Sequence, residues 1–310
     1  MTRDRRSKAP RLAAGRGVRE GVIVIPRGPR SLNPVSPLAS VAPRLSPPSP
    51  EPPTGPGPTQ RRRIYCVDVG SPRQKPSGFA WTRIDPDEDS PTPAGNCSIK
   101  SLCRNLVDDL KAGRSVALGF EAPLFIPVPT CADELSTGRE NEGDRSCFAP
   151  AGGYVATLGL HQAAYILKCV AAQLGELVRF TVDPIAWPPR GDAAVLFCWE
   201  ALVTGDAHAA KTDPQPHLRD AATAAMEFRK HENRLACLPN AITAERPLSL
   251  IGAAAVWSGL VKDRDLIRES TVVVRARAPF DGEIKEVDGW MNSHIGGTAL
   301  DVVSEDFAPR

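Results

Sequence analysis

The hydrophobic pattern begins late in the chain. Residues 1–60 show no sustained period. The first strong signal is Ile64-Tyr-Cys-Val-Asp-Val69, a β-rich run that is apolar on both faces and reads as a buried strand broken by one charge, Asp68. Gly70–Ser77 supplies turn residues, and Gly78–Ile84 reads as a hairpin partner. A third strand or a loop falls near 90–97. Ser98–Leu110 predicts a helix, because Ile99, Leu102, Cys103, Leu106 and Leu110 share one face. Ser98 can cap it and Gly113 can end it. Ser115–Phe120 is apolar on both faces and predicts a central strand, stopped by Glu121.

Residues 122–153 read as a long polar loop, a length that marks function or mobility inside a compact domain. Tyr154–Leu174 predicts a second helix, apolar nearly all round and therefore buried. Leu177–Val182 alternates like a strand and ends at Asp183-Pro184. Helices are expected over Asp192–Thr204, His217–Glu232 and Pro247–Leu260, and a short strand over Thr271–Arg275. The result is an α/β fold with a mixed central sheet and helices on both faces.

Composition separates a leader from this domain. Thirteen of the 31 prolines lie in residues 1–60, and Ser46–Pro58 is too proline-rich for helix or sheet. The expected organisation is a disordered basic leader over 1–60, a domain over 61–275 and a tail over 276–310. The leader carries ten Lys/Arg against three Asp/Glu, a net of +7. The whole chain is +2, which leaves −5 for residues 61–310. That balance argues against a broad basic face for duplex nucleic acid, while a local groove with metal ions could still bind a phosphate backbone. The eight cysteines form no CxxC pair and suit a reduced, cytoplasmic protein. The longest apolar stretch, Leu248–Val261, is too short to span a bilayer, so no membrane is expected. The sequence is silent on oligomeric state.

Three acids stand at informative places. Asp68 lies in the first strand, Glu121 follows the strand after the first helix, and Asp220 sits at the start of a late helix. A ribonuclease-H-like three-layer fold delivers metal-binding carboxylates in this order. Two Mg²⁺ or Mn²⁺ ions need such hard oxygen ligands to cleave a phosphodiester. Simple readings compete: Asp-x-Gly is ordinary turn chemistry, and a helix dipole favours an acid in its first turn. Glu121, directly before Ala-Pro, has no evident folding role. Arg139 and Arg145 could grip phosphate or could line a solvated loop. The histidines show no metal pairing, and His161 reads as a core residue. Trp187, Trp199 and Trp257 read as packing residues.

The segments IYCVDVG, ALGFEAPLFIPVP, DRSCFAPAGGYVATLGLHQAAYIL, FCWEALVTGDAH, HLRDAATAAMEF and LSLIGAAAVWSGL resemble the domain-of-unknown-function family numbered 429, over roughly residues 62–275. That family is regarded as a nuclease of the ribonuclease-H-like superfamily. The resemblance implies metal-ligand roles for Asp68, Glu121 and Asp220, and a place for Arg145 at the site. In such folds the second acid is often Asp, where this chain has Glu121. A strand that often ends in Glu before Pro here ends in Asp183-Pro184, making Asp183 a candidate fourth ligand. The leading expectation is a metal-dependent phosphodiester hydrolase acting on nucleic acid. The alternatives are a catalytically degenerate binding or scaffold module, and an actin-like nucleotide-phosphate hydrolase. The last needs a second half and a second Gly-rich phosphate loop, which the sequence does not show.

Overall fold

The computed structural model describes residues 62–86, 88–142, 146–187 and 193–287. The Pro-rich leader, Arg145 and residues 288–310 of the expected tail lie outside this set.

The expected hairpin forms. β1 (Arg62–Asp68) pairs antiparallel with β2 (Ala80–Ile84), which pairs with β3 (Ala94–Asn96). α1 (Ile99–Lys111) starts at Ser98, whose side chain accepts from the Ser101 amide as an N-cap. Gly113 follows in the left-handed region at φ +75°. β4 (Ser115–Glu121) then returns parallel to β1.

The long loop is more structured than its polarity suggests. It holds a short strand, β5 (Phe125–Pro127), and α2 (Pro150–Leu174) begins four residues before the expected start. α2 is not buried all round: Ala156, Gly159, Ala163, Ile166 and Val170 pack inward, while Tyr154 and His161 are exposed. The polar side chain buried on this helix is Gln162, next to His161. By length and composition α2 could cross a membrane, but its small and aliphatic face is packed on the sheet.

β6 (Val178–Thr181) is the expected alternating strand. The clearest correction comes next. Asp192–Thr204 was expected to be a helix, and the described part forms β7 (Ala194–Leu202), a nine-residue strand. β7 lies between β4 and β6, with both faces buried, so its side chains lack the two-residue alternation that marks a half-exposed strand. α3 (Pro216–Arg229) follows. The expected helix from Pro247 opens instead with β8 (Pro247–Ser249), which pairs with β5, and only then becomes α4 (Leu250–Ser258).

β9 (Val273–Arg275) pairs with the end of β7, and β10 (Lys285–Glu286) pairs with β3. The domain boundary expected at 275 therefore falls inside the packed unit. Phe280 and Gly282 carbonyls accept from Arg219 of α3, and the Val287 carbonyl accepts from Asn96.

The main sheet has the order β10-β3-β2-β1-β4-β7-β6, with β9 added on β7. β2 is antiparallel to β1, whereas β4, β7 and β6 run parallel to it. Alternate residues feed two cores. Tyr65, Val67, Leu118 and Phe120 pack under α1, α2 and α4. Ile64, Cys66, Ala117, Phe197 and Trp199 pack under α3. Each fully buried large apolar side chain contributes roughly 1.5–3 kcal/mol. Trp187 and Trp199 are buried as expected, but Trp257 is 59% exposed.

Candidate metal centre at the carboxyl ends of the strands

Two-residue alternation decides where the acids point. Along β1, Ile64 and Cys66 face the α3 core, so Asp68 faces the same way. Asp68 and Glu121 are register partners on parallel neighbouring strands, and they share that face. Both lie at the carboxyl ends of their strands, where open α/β sheets place ligands.

Asp220 arrives from the layer above. α3 begins at Pro216, so Asp220 is the fifth helical residue and no acid occupies the first turn. The helix-dipole reading of Asp220 therefore weakens. The approach of α3 depends on Gly119. A Cβ there would lie 2.4 Å from the Trp199 ring, so the indole can lie across β4 only because position 119 is bare. Trp199 stacks on Phe228 of α3 at 4.6 Å between centroids. The stack holds α3 against the sheet, and the first half of the helix brings Asp220 to the strand ends.

The outcome is a cluster of Asp68, Glu121 and Asp220, with one oxygen from each lying within 4.8 Å of the others. Asp68 and Asp220 are each 8% exposed. His217 Nδ1 lies 2.8 Å from Asp68 Oδ2, and His208 Nδ1 lies 3.0 Å from Asp220 Oδ2. The Ala209 amide donates to Asp220 Oδ1 at 2.6 Å. Burial pushes the Asp68 carboxyl up from its ordinary value, opposed by the His217 hydrogen bond and charge and reinforced by Asp220. The same hydrogen bond raises His217.

The donor set suits a hard cation. Three carboxylates gathered in a half-buried site, with imidazoles as the partners of two of them, hold negative charge that Mg²⁺ or Mn²⁺ would balance with oxygen ligands at about 2.0–2.1 Å. This buried acidic cluster could bind a metal ion.

The other expected site residues fare differently. Asp183 is exposed and caps the 3₁₀ turn Pro184–Ala186 by accepting from the Ile185 amide at 2.9 Å. Its strand, β6, is separated from β4 by β7, so it does not join the cluster. Arg139 neither grips phosphate nor lines a solvated face. It is buried, and its guanidinium makes two bonds to Glu200, at 2.6 and 2.8 Å, and two to Glu142, at 2.8 and 3.1 Å. Arg145 lies outside the described residues.

Sequence reasoning missed His208 and His217 as partners of the acids. Their spacing to one another carries no metal pattern. The available signal was the position of His217 three residues before Asp220, which puts both on one helix face.

Comparison with known proteins finds no matching family model, no matching curated protein and no matching solved structure.

Proposed function

We propose that this protein is a metal-dependent phosphodiester hydrolase of the ribonuclease-H-like kind, acting on nucleic acid. The carrying observation is the convergence of Asp68, Glu121 and Asp220 from three separate elements to within 4.8 Å. Chance placement at turns and helix starts does not account for three acids from β1, β4 and α3 at one point. The strand order β3-β2-β1-β4, with only β2 and its partner contacts antiparallel, and the resemblance of the six segments above support the same reading.

Asp68, Glu121 and Asp220 would hold one or two Mg²⁺ or Mn²⁺ ions. A bound ion there supplies Lewis-acid stabilisation of phosphoryl charge and a water of lowered pKa. His217 fixes the Asp68 carboxylate through Nδ1, and the Ala209 amide and His208 fix Asp220. Such partners orient ligand carboxylates and sharpen metal affinity. With Nδ1 engaged, Nε2 of the half-exposed His217 ring is left to pass a proton to a departing oxygen. The expected setting is the cytoplasm, where eight thiols stay reduced.

The test is cleavage of labelled single-stranded, duplex and RNA–DNA hybrid substrates with Mn²⁺. Cleavage of one class, abolished by EDTA and by Asp220→Asn, is expected. Cleavage that survives Asp220→Asn, or its absence on every substrate, would remove the reading and favour a binding or scaffold module.

A further inference from the structure

Residues 69–79 form the loop between β1 and β2, spanning from Asp68 to its register partner Ala80. The loop therefore stands at the metal-centre end of the sheet. Its neck is pinched: a Cβ on Gly70 would lie 1.8 Å from the Gly78 carbonyl oxygen, so the two backbones touch and only glycine fits. The neck is also tied down. The Gly78 and Gln74 amides donate to the Ser71 carbonyl, and buried Gln162 of α2 donates to the Gly70 carbonyl at 2.7 Å.

The tip is built differently from the neck. Pro72–Pro76 is exposed and carries Arg73 and Lys75, with no acid anywhere between Val69 and Phe79. Neither cation pairs with a carboxylate among the described residues. Arg139 and Arg219 are by contrast committed, the first to Glu200 and Glu142, the second to Asp213 and two carbonyls. A cluster of acids repels a polyanion, so a strand seated there needs cations at the rim.

We infer that the Arg73–Lys75 tip is a phosphate clamp for a nucleic-acid strand, holding backbone phosphates beside the one at the metal centre; this rests on the hydrolase reading of that centre. Arg73 lies five positions after Asp68, a span of at most about 18 Å. A strand rises about 3.4 Å per nucleotide, so the tip meets phosphates a few nucleotides from the reacting one. The neck is pinned at Gly70 and Gly78, and the long stems of the two cations adapt to the backbone without reading its bases.

The test is fluorescence anisotropy of labelled oligothymidine and oligouridine over a salt series, with Ca²⁺ present. R73A/K75A is expected to bind roughly tenfold more weakly at ~0.1 M salt. Each phosphate contact contributes about 0.7 to the slope of log K against log salt for single strands, so its slope should fall by about 1.4. R73K/K75R should keep the slope. Unchanged affinity and slope in R73A/K75A, or no strand binding by the unsubstituted protein, overturns the clamp. ATP competing as tightly as the strand, through the same two residues, assigns the loop to a mononucleotide and also overturns it. A Mn²⁺ melting shift measured on the same samples separates the two ideas. Strand binding that needs Arg73 and Lys75 without any Mn²⁺ response supports the clamp and removes the hydrolase reading.

Discussion

Two groups of carboxylates stand at the same end of the sheet, on opposite faces. Glu200 is the register partner of Phe120 and faces away from Glu121. With Glu142 it is paired inside the chain with Arg139, and the three side chains are 1–4% exposed. Glu200 also accepts from the Leu124 amide at 2.9 Å, which pins the turn just after Glu121. Asp68 and Asp220, on the α3 face, are met by imidazoles whose side chains are 34% and 39% exposed. One group has its counter-charge built in and permanently ionised. The other is met by imidazoles whose side chains reach solvent. The contrast separates acids paired inside the chain from a cluster that could bind a metal ion.

The largest effect should come from breaking the built-in pair. Arg139→Ala leaves Glu200 buried without its fork and is expected to destabilise by about 3–5 kcal/mol. Chemical denaturation measures it, and Arg139→Met with Glu200→Leu should recover most of the loss. A loss under about 1 kcal/mol in Arg139→Ala would mean that the pair is not desolvated as described.

Gly119→Ala should separate the groups. The added methyl meets the Trp199 ring and costs about 1–3 kcal/mol as overpacking. It displaces α3, and Asp220 with it, while leaving the Arg139 pair on the other face. Weakened Mn²⁺ binding in a folded variant is expected. Undiminished Mn²⁺ binding would show that the seating of α3 does not set the cluster.

The smallest effect concerns pH in the metal-free protein. His217 is raised by its hydrogen bond to Asp68. Its contribution to stability is fully present below the ordinary histidine value of 6.5 and is lost as pH rises through the raised value. His217→Asn should therefore flatten the fall in Tm between about pH 6 and 8. Equal slopes in variant and parent would assign that pH dependence elsewhere.

The acids were legible because strand ends and helix starts leave marks in sequence. Asp68 breaks an apolar strand, and Glu121 follows one. β7 was not legible as a strand, because burial on both faces erases alternation, and Ala, Leu and Glu are helix formers. That one misreading hid the role of Arg139 as well. Its partner Glu200 lies in β7, so a polar loop arginine looked solvated when it was in fact buried. His217 was missed for a different reason. Its partner Asp68 is 149 residues away, and no local spacing records a contact that only the packing of α3 on β1 creates.

The central claim is that Asp68, Glu121 and Asp220 form a cation site. Titrating the protein with Mn²⁺ and following the electron paramagnetic resonance signal of the free ion tests it most directly. The unsubstituted protein should deplete the free signal by one or two equivalents, and Asp68→Asn and Asp220→Asn, folded by circular dichroism, should not. No uptake by the unsubstituted protein, or equal uptake by the variants, would contradict the account.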